Sequence, residues 1–156
     1  MPQPTVTVLP LRDALARADA APVALVALGI PLCPSCELLE ASLDAVAGSR
    51  PGLTVVIATL ATAEEWADRE ELLWPRGIHV SRASVPVLVL MRAASVVATR
   101  QGGGPSGAID AWLVGHLGPA ERPLAAPLSA GEASRLDDVA ELRARHLSVR
   151  GLHATG

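Results

Sequence analysis

The chain has 156 residues, half of them apolar, with thirteen basic and sixteen acidic side chains and a formal net charge of −3. That length suits one domain with an appendage, large enough to bury a single core without covalent staples. With no Phe or Tyr and three Trp, the core must be aliphatic, and the basic residues, all Arg, form no block, so neither a base-stacking surface nor an electrostatic footprint for nucleic acid is present.

Residues 20–32 form an apolar run after Arg12 and Arg17. Asp13 and Asp19 acidify the would-be positive region of a secretion signal, and Pro31-Leu32 lacks the small residues of a cleavage site. No stretch approaches the roughly 20 apolar residues of a membrane span. The expected location is therefore cytoplasmic, without a membrane partner. In a reducing compartment, two cysteines point to catalysis or metal binding before a structural bridge.

In chain order, residues 5–9, β-branched up to Val8, read as a short strand. Leu11, Leu15 and Ala18 follow at helical spacing. Residues 23–28 are continuously apolar, the pattern of a strand covered on both faces. After the cysteines, Leu39, Leu43 and Val46 mark a helix stripe, with Gly48 placed to end it. Residues 53–58 give the next strand. Thr62 with Glu65 is a capping-box signature, opening a helix that carries Trp66 and Leu73 and stops at Pro75.

Residues 85–91 and 95–99, joined by a polar link around Arg92, read as an antiparallel hairpin. Ser106 is placed to cap a last helix bearing Ile109, Trp112, Leu113 and His116, ended by Gly118-Pro119. The predicted order is βαβαβαββα, an α/β fold with a mixed sheet between helices. Residues 119–131, rich in Pro and Ala, resemble a tether, and Ser134 with Asp137 starts an amphipathic helix ending near His146. The expected domains are thus 1–118 and an appendage over 119–156.

Cys33-Pro34-Ser35-Cys36 joins a buried strand to an amphipathic helix. Cys33 falls at the helix N-cap, where unpaired amides and the helix dipole favour an anion, and Pro34 suits the first helical position. A thiolate there is the attacking group. Cys36, one turn on, is placed to resolve a mixed disulfide. A zinc site would need two more ligands, and His79, His116, His146 and His153 offer no pair at the usual spacing. No metal and no cofactor beyond the Cys33–Cys36 pair is expected.

With that motif placed, the chain resembles the thioredoxin family over residues 1–118. The features that match are Cys-x-x-Cys, Val85-Pro86-Val87-Leu88-Val89-Leu90, Val97-Ala98-Thr99-Arg100, Gly102 sixteen residues after Pro86, and the helix at Ser106. The resemblance implies a cis Val85–Pro86 bond facing the cysteines, with Val85 offering its backbone to an extended substrate segment. The substrate-binding residues it implies are Leu32, Pro34, Val85 and Pro86, around the catalytic Cys33 and Cys36.

The expected activity is that of a thiol-disulfide oxidoreductase acting on disulfide-bearing proteins and recharged by an upstream thiol reductant. The alternative is a thioredoxin-fold interaction or assembly-factor module with little redox activity. Leu32 stands where thioredoxins usually carry Trp, and Pro-Ser between the cysteines is closer to glutaredoxins. Ala27 replaces the buried acid of thioredoxins, and the lysine that partners it is absent. The proton of Cys36 must then move through Glu37, Glu40, water or substrate.

Overall fold

In the computed structural model, residues 6–124 are described. They run β1 (Thr7–Leu9), α1 (Leu11–Ala20), β2 (Val23–Gly29), α2 (Pro34–Ser49), β3 (Thr54–Thr59), α3 (Ala63–Leu72), a 3₁₀ turn (Trp74–Arg76), β4 (Val87–Arg92), β5 (Ser95–Gln101) and α4 (Ser106–Leu117). The order is the one expected from the sequence. The five strands form one mixed sheet ordered β1-β3-β2-β4-β5, with β1, β3 and β2 mutually parallel and β4 and β5 antiparallel to their neighbours.

The continuous apolar runs sit in the centre of this sheet because both faces are covered. In β2, Ala24, Val26 and Leu28 pack with α1, while Leu25 and Ala27 pack with Leu39 and Leu43 of α2 and Ile109 and Leu113 of α4. β4 divides the same way, with Val87, Val89 and Met91 to one side and Leu88 and Leu90 to the other. Alternation of period two therefore serves two aliphatic cores at once, which is why these strands show no polar face.

Three local expectations are corrected. Gly48 does not end α2; it lies inside the helix, which stops at Ser49 because Arg50 precedes Pro51 and the proline ring excludes helical backbone from the residue before it. Ser106 is the first residue of α4, not its cap. The cap is Pro105, whose carbonyl accepts from the amides of Ala108 and Ile109 at 3.0 and 3.3 Å. Arg92 belongs to β4, and the hairpin turns on Ala93-Ala94, with φ of 49° and 65°. These left-handed values match a two-residue turn normally made by Asn and Gly, which is why two alanines gave no signal.

The capping box of α3 forms as expected: Glu65 N donates to Thr62 Oγ1 at 3.1 Å, and Thr62 N donates to Glu65 Oε1 at 3.3 Å. Residues 119–124, assigned from composition to the tether, lie against the domain. The Arg122 amide donates to the Ser49 carbonyl at 3.0 Å and Leu124 packs on the α2–α4 core. The helix expected over residues 134–146 falls outside the described residues. Among the described residues, no helix is long and apolar enough to cross a membrane.

One ion pair ties α1 to the turn after α3. Arg76 donates to both carboxylate oxygens of Asp19 at 2.7 Å each. That hydrogen bonding holds the Asp19 carboxyl below its ordinary value and Arg76 above its own, against an opposing contribution from burial. A depressed carboxyl contributes stability above its unfolded value of about 3.9 and loses it as pH falls through the folded value. Because Asp19 is 34 % exposed, Asp19→Asn is expected to cost only about 0.5–1 kcal/mol at pH 7. Thermal unfolding of both proteins at pH 7 and below pH 3 checks this, since the difference must shrink at the lower pH.

Candidate active site

β2 ends at Gly29, and Ile30, Pro31 and Leu32 carry the chain across the end of the sheet to α2. Leu32 takes φ of 56° and is 96 % exposed, so a large apolar side chain in left-handed backbone stands in solvent beside the cysteines. Cys33 is the N-cap of α2. Its Sγ accepts from the Cys36 amide at 3.2 Å, and its carbonyl accepts from the amides of Cys36 and Glu37 at 3.1 Å each. Pro34 occupies the first turn, where its missing N–H costs nothing.

Cys33 and Cys36 are joined as a disulfide with Cα atoms 5.2 Å apart, and both are half-buried. The Cys33 sulfur thus lies at the start of α2 against the amide of Cys36, at the end of the helix whose dipole favours negative charge. Glu37 is an exposed acid in the same turn.

Beneath the disulfide the packing is close and apolar. A Cβ built on Gly29 would lie 2.9 Å from Cys36 Sγ and 3.3 Å from its Cβ. Ala27, two residues back on the same face of β2, is buried among Leu39, Leu43 and Leu88. A glycine is therefore required at 29 by the approach of the sulfur. Sequence patterning did not single it out, although a glycine closing an apolar strand is a known sign of close backbone approach.

The Val85–Pro86 bond is cis. Leu28 pairs with Val87, so the next step of the β2–β4 register brings Pro86 level with Gly29, and hence to the end of the sheet against which Cys36 packs. Pro86 is buried and Val85 half-buried. The Pro86 carbonyl accepts from the Gly102 amide at 2.7 Å, fixing this segment to the end of β5. The turn at Gly102 and Gly104 uses positive φ at both, and Ser42 Oγ of α2 donates to the Gly104 carbonyl at 3.0 Å.

Leu32, Pro34 and the two cysteines thus share one loop and helix start, and Val85 and Pro86 reach the same end of the sheet from β4. Beside them a cleft of about 150 Å³ is lined by Ile78, His79, Ser84, Val87, Thr99 and Gln101. His79 is exposed there, within 6.3 Å of the Trp74 ring, centroid to centroid. Among the described residues no three His, Cys, Asp or Glu side chains gather as a metal site.

This architecture, a five-stranded mixed sheet between helix pairs with Cys-x-x-Cys at the start of α2, is the thioredoxin fold. Solved structures of similar fold include thioredoxin f2 of Chlamydomonas reinhardtii, at TM-score 0.58 and 17 % identity over 73 % of this chain and 98 % of that one. The oxidised thioredoxin of Plasmodium falciparum matches at TM-score 0.57 and 12 % identity, over 72 % and 98 % of the two chains. Desulfothioredoxin of Desulfovibrio vulgaris Hildenborough matches at TM-score 0.56 and 23 % identity, over 71 % and 98 %. No family model matches the sequence, and no curated protein matches it. At these identities the likeness carries the fold, and the chemistry must be argued from the site.

Proposed function

We propose that the protein is a thiol-disulfide oxidoreductase that reduces protein disulfides. The observation that carries this is the Cys33 sulfur at the N-cap of α2, accepting from the Cys36 amide and joined to Cys36 in a disulfide.

In the reduced protein, the Cys33 thiolate attacks one sulfur of a substrate disulfide. A bond forms between Cys33 Sγ and that sulfur, the substrate S–S bond breaks, and the departing thiolate takes a proton from solvent. Cys36, having given up its proton, then attacks Cys33 Sγ and releases the second substrate thiol. Two electrons have passed to the substrate, and the protein is left as the Cys33–Cys36 disulfide. A thiol reductant restores the dithiol by the reverse exchange. Ala27 and Gly29 place no titratable group beneath Cys36, so its proton leaves toward the exposed side, to Glu37, Glu40, water or the substrate thiolate.

Leu32 gives a disulfide-bearing segment an apolar surface next to the attacking sulfur, the exposed Pro34 follows Cys33 in the first turn of α2, and Val85 offers backbone groups as a strand edge does. The cycle requires a reducing compartment such as the cytoplasm. Two measurements test it together: reduction of insulin disulfides, and equilibration of the dithiol with glutathione. We expect turnover and a potential of about −200 to −270 mV. A potential near −120 mV would reverse the direction of electron flow, and absence of turnover would leave the fold as an interaction module.

A further inference from the structure

The segment leading into Val85–Pro86 is held in an unusual way. Between Gly77 and Pro86 the chain forms no helix or strand. Yet Ile78 and Val80 are buried in the α1-side core, and Ser81 and Ser84 close a turn through Ser81 N to Ser84 Oγ at 2.8 Å and Ser84 N to the Ser81 carbonyl at 3.0 Å. The Ile78 amide also donates to the Leu73 carbonyl at 3.1 Å, and a further attachment centres on one aromatic ring of α3. Arg82, exposed on the loop, places its guanidinium carbon 4.7 Å from the centre of the Trp66 ring. Arg69, one turn after Trp66, places its own 5.0 Å from the same ring and donates from Nη1 to the Val80 carbonyl at 2.9 Å.

Among the described residues neither guanidinium forms an ion pair, so the indole face and the Val80 carbonyl are what these two cations meet. α3 buries no residue fully, and Trp66 is half-buried at the rim of the α1-side core. Its ring also meets the two arginines that reach the loop. Two arginines brought to one ring do not repel enough to separate because both charges remain partly hydrated, and each gains from the ring quadrupole.

We propose that Trp66, Arg69 and Arg82 are positioning residues for substrate docking: they clasp the Ile78–Ser84 loop so that Val85 meets an extended peptide segment in one fixed pose. This rests on the oxidoreductase reading of the site. The clasp touches neither cysteine, so it acts on docking and not on thiol exchange. A small disulfide, which reaches Cys33 without pairing with Val85, is indifferent to it.

The test compares the full-length protein with Arg82→Ala, Arg82→Lys, Trp66→Ala and Trp66→Phe, using a peptide disulfide and hydroxyethyl disulfide. Arg82→Ala removes an exposed side chain and spares the core. It is expected to raise KM for the peptide by about two- to fivefold, the worth of one cation over an aromatic face, with kcat and the hydroxyethyl disulfide rate unchanged. Trp66→Ala should raise KM further, and Arg82→Lys and Trp66→Phe should restore most of the loss. Equal losses on both substrates, or wild-type KM in Arg82→Ala and Trp66→Ala alike, overturn the proposal while leaving the oxidoreductase assignment standing. A wild-type protein inert toward both disulfides removes that assignment, and the docking role falls with it.

Discussion

Cys36→Ser is expected to turn the protein from a catalyst into a trap. In the proposed cycle Cys33, at the N-cap of α2, attacks, and the thiolate of Cys36, in the first turn, breaks each mixed disulfide. Without it the adduct on Cys33 persists until an external thiol arrives. Insulin reduction should fall by about two orders of magnitude or more, a loss of the size seen when a covalent mechanism loses one of its groups. Partners captured from a cytoplasmic extract should migrate as adducts that a reductant releases, and Cys33→Ser should capture almost none.

The interaction-module alternative gives a different pattern. Partners would bind both serine variants equally, survive reductant, and be lost when the C-terminal extension is removed. The truncation belongs after Leu124, since Arg122 and Leu124 are packed on the domain and a cut at 118 would disturb the core as well. Reductant-resistant binding that depends on residues 125–156, with no Cys33 adduct, would retire the oxidoreductase proposal and keep the fold.

Much of this site was legible because it lies where strong local signals meet. The apolar run of β2 required a strand covered on both faces, Pro34 required a helix start, and the cysteine spacing placed Cys33 at the cap, so three independent constraints fixed one junction. The ending of α2 and the start of α4 were misjudged for a shared reason: Gly48 and Ser106 are capable of capping, but Pro51 and Pro105 decide, because a proline restricts the backbone whatever its neighbours prefer. The Ala93-Ala94 turn carried no signal at all. Its left-handed backbone is imposed by the β4–β5 pairing on residues that do not favour it.

Trp66 and Gly29 were missed for a different reason. Their importance lies in contacts across 16 residues of sequence to Arg82 in one case and across a strand-to-helix crossing to Cys36 in the other, and no pattern along the chain announces either. Both act through the third dimension: a ring lent to a distant loop, and an absent side chain that admits a sulfur.

Gly29→Ala makes the second of these measurable. Gly29 does not have a positive φ, so alanine brings no backbone strain, and the whole effect is steric. The new methyl would sit 2.9 Å from Cys36 Sγ, closer than real Cβ atoms stand to their neighbours. In the disulfide form that sulfur is tethered to Cys33 and cannot turn away, whereas in the dithiol form it rotates about its Cα–Cβ bond. Overpacking at a well-filled site costs about 1–3 kcal/mol, and here most of it falls on the oxidised protein. The oxidised state is thereby weakened relative to the reduced one, which makes the pair easier to reduce. At about 30 mV per 1.4 kcal/mol the potential should rise by roughly 20–60 mV, and the oxidised protein should lose more thermal stability than the reduced protein. Equal losses in the two redox states, or a potential that falls, would show that the sulfur does not rest on Gly29 in the folded protein.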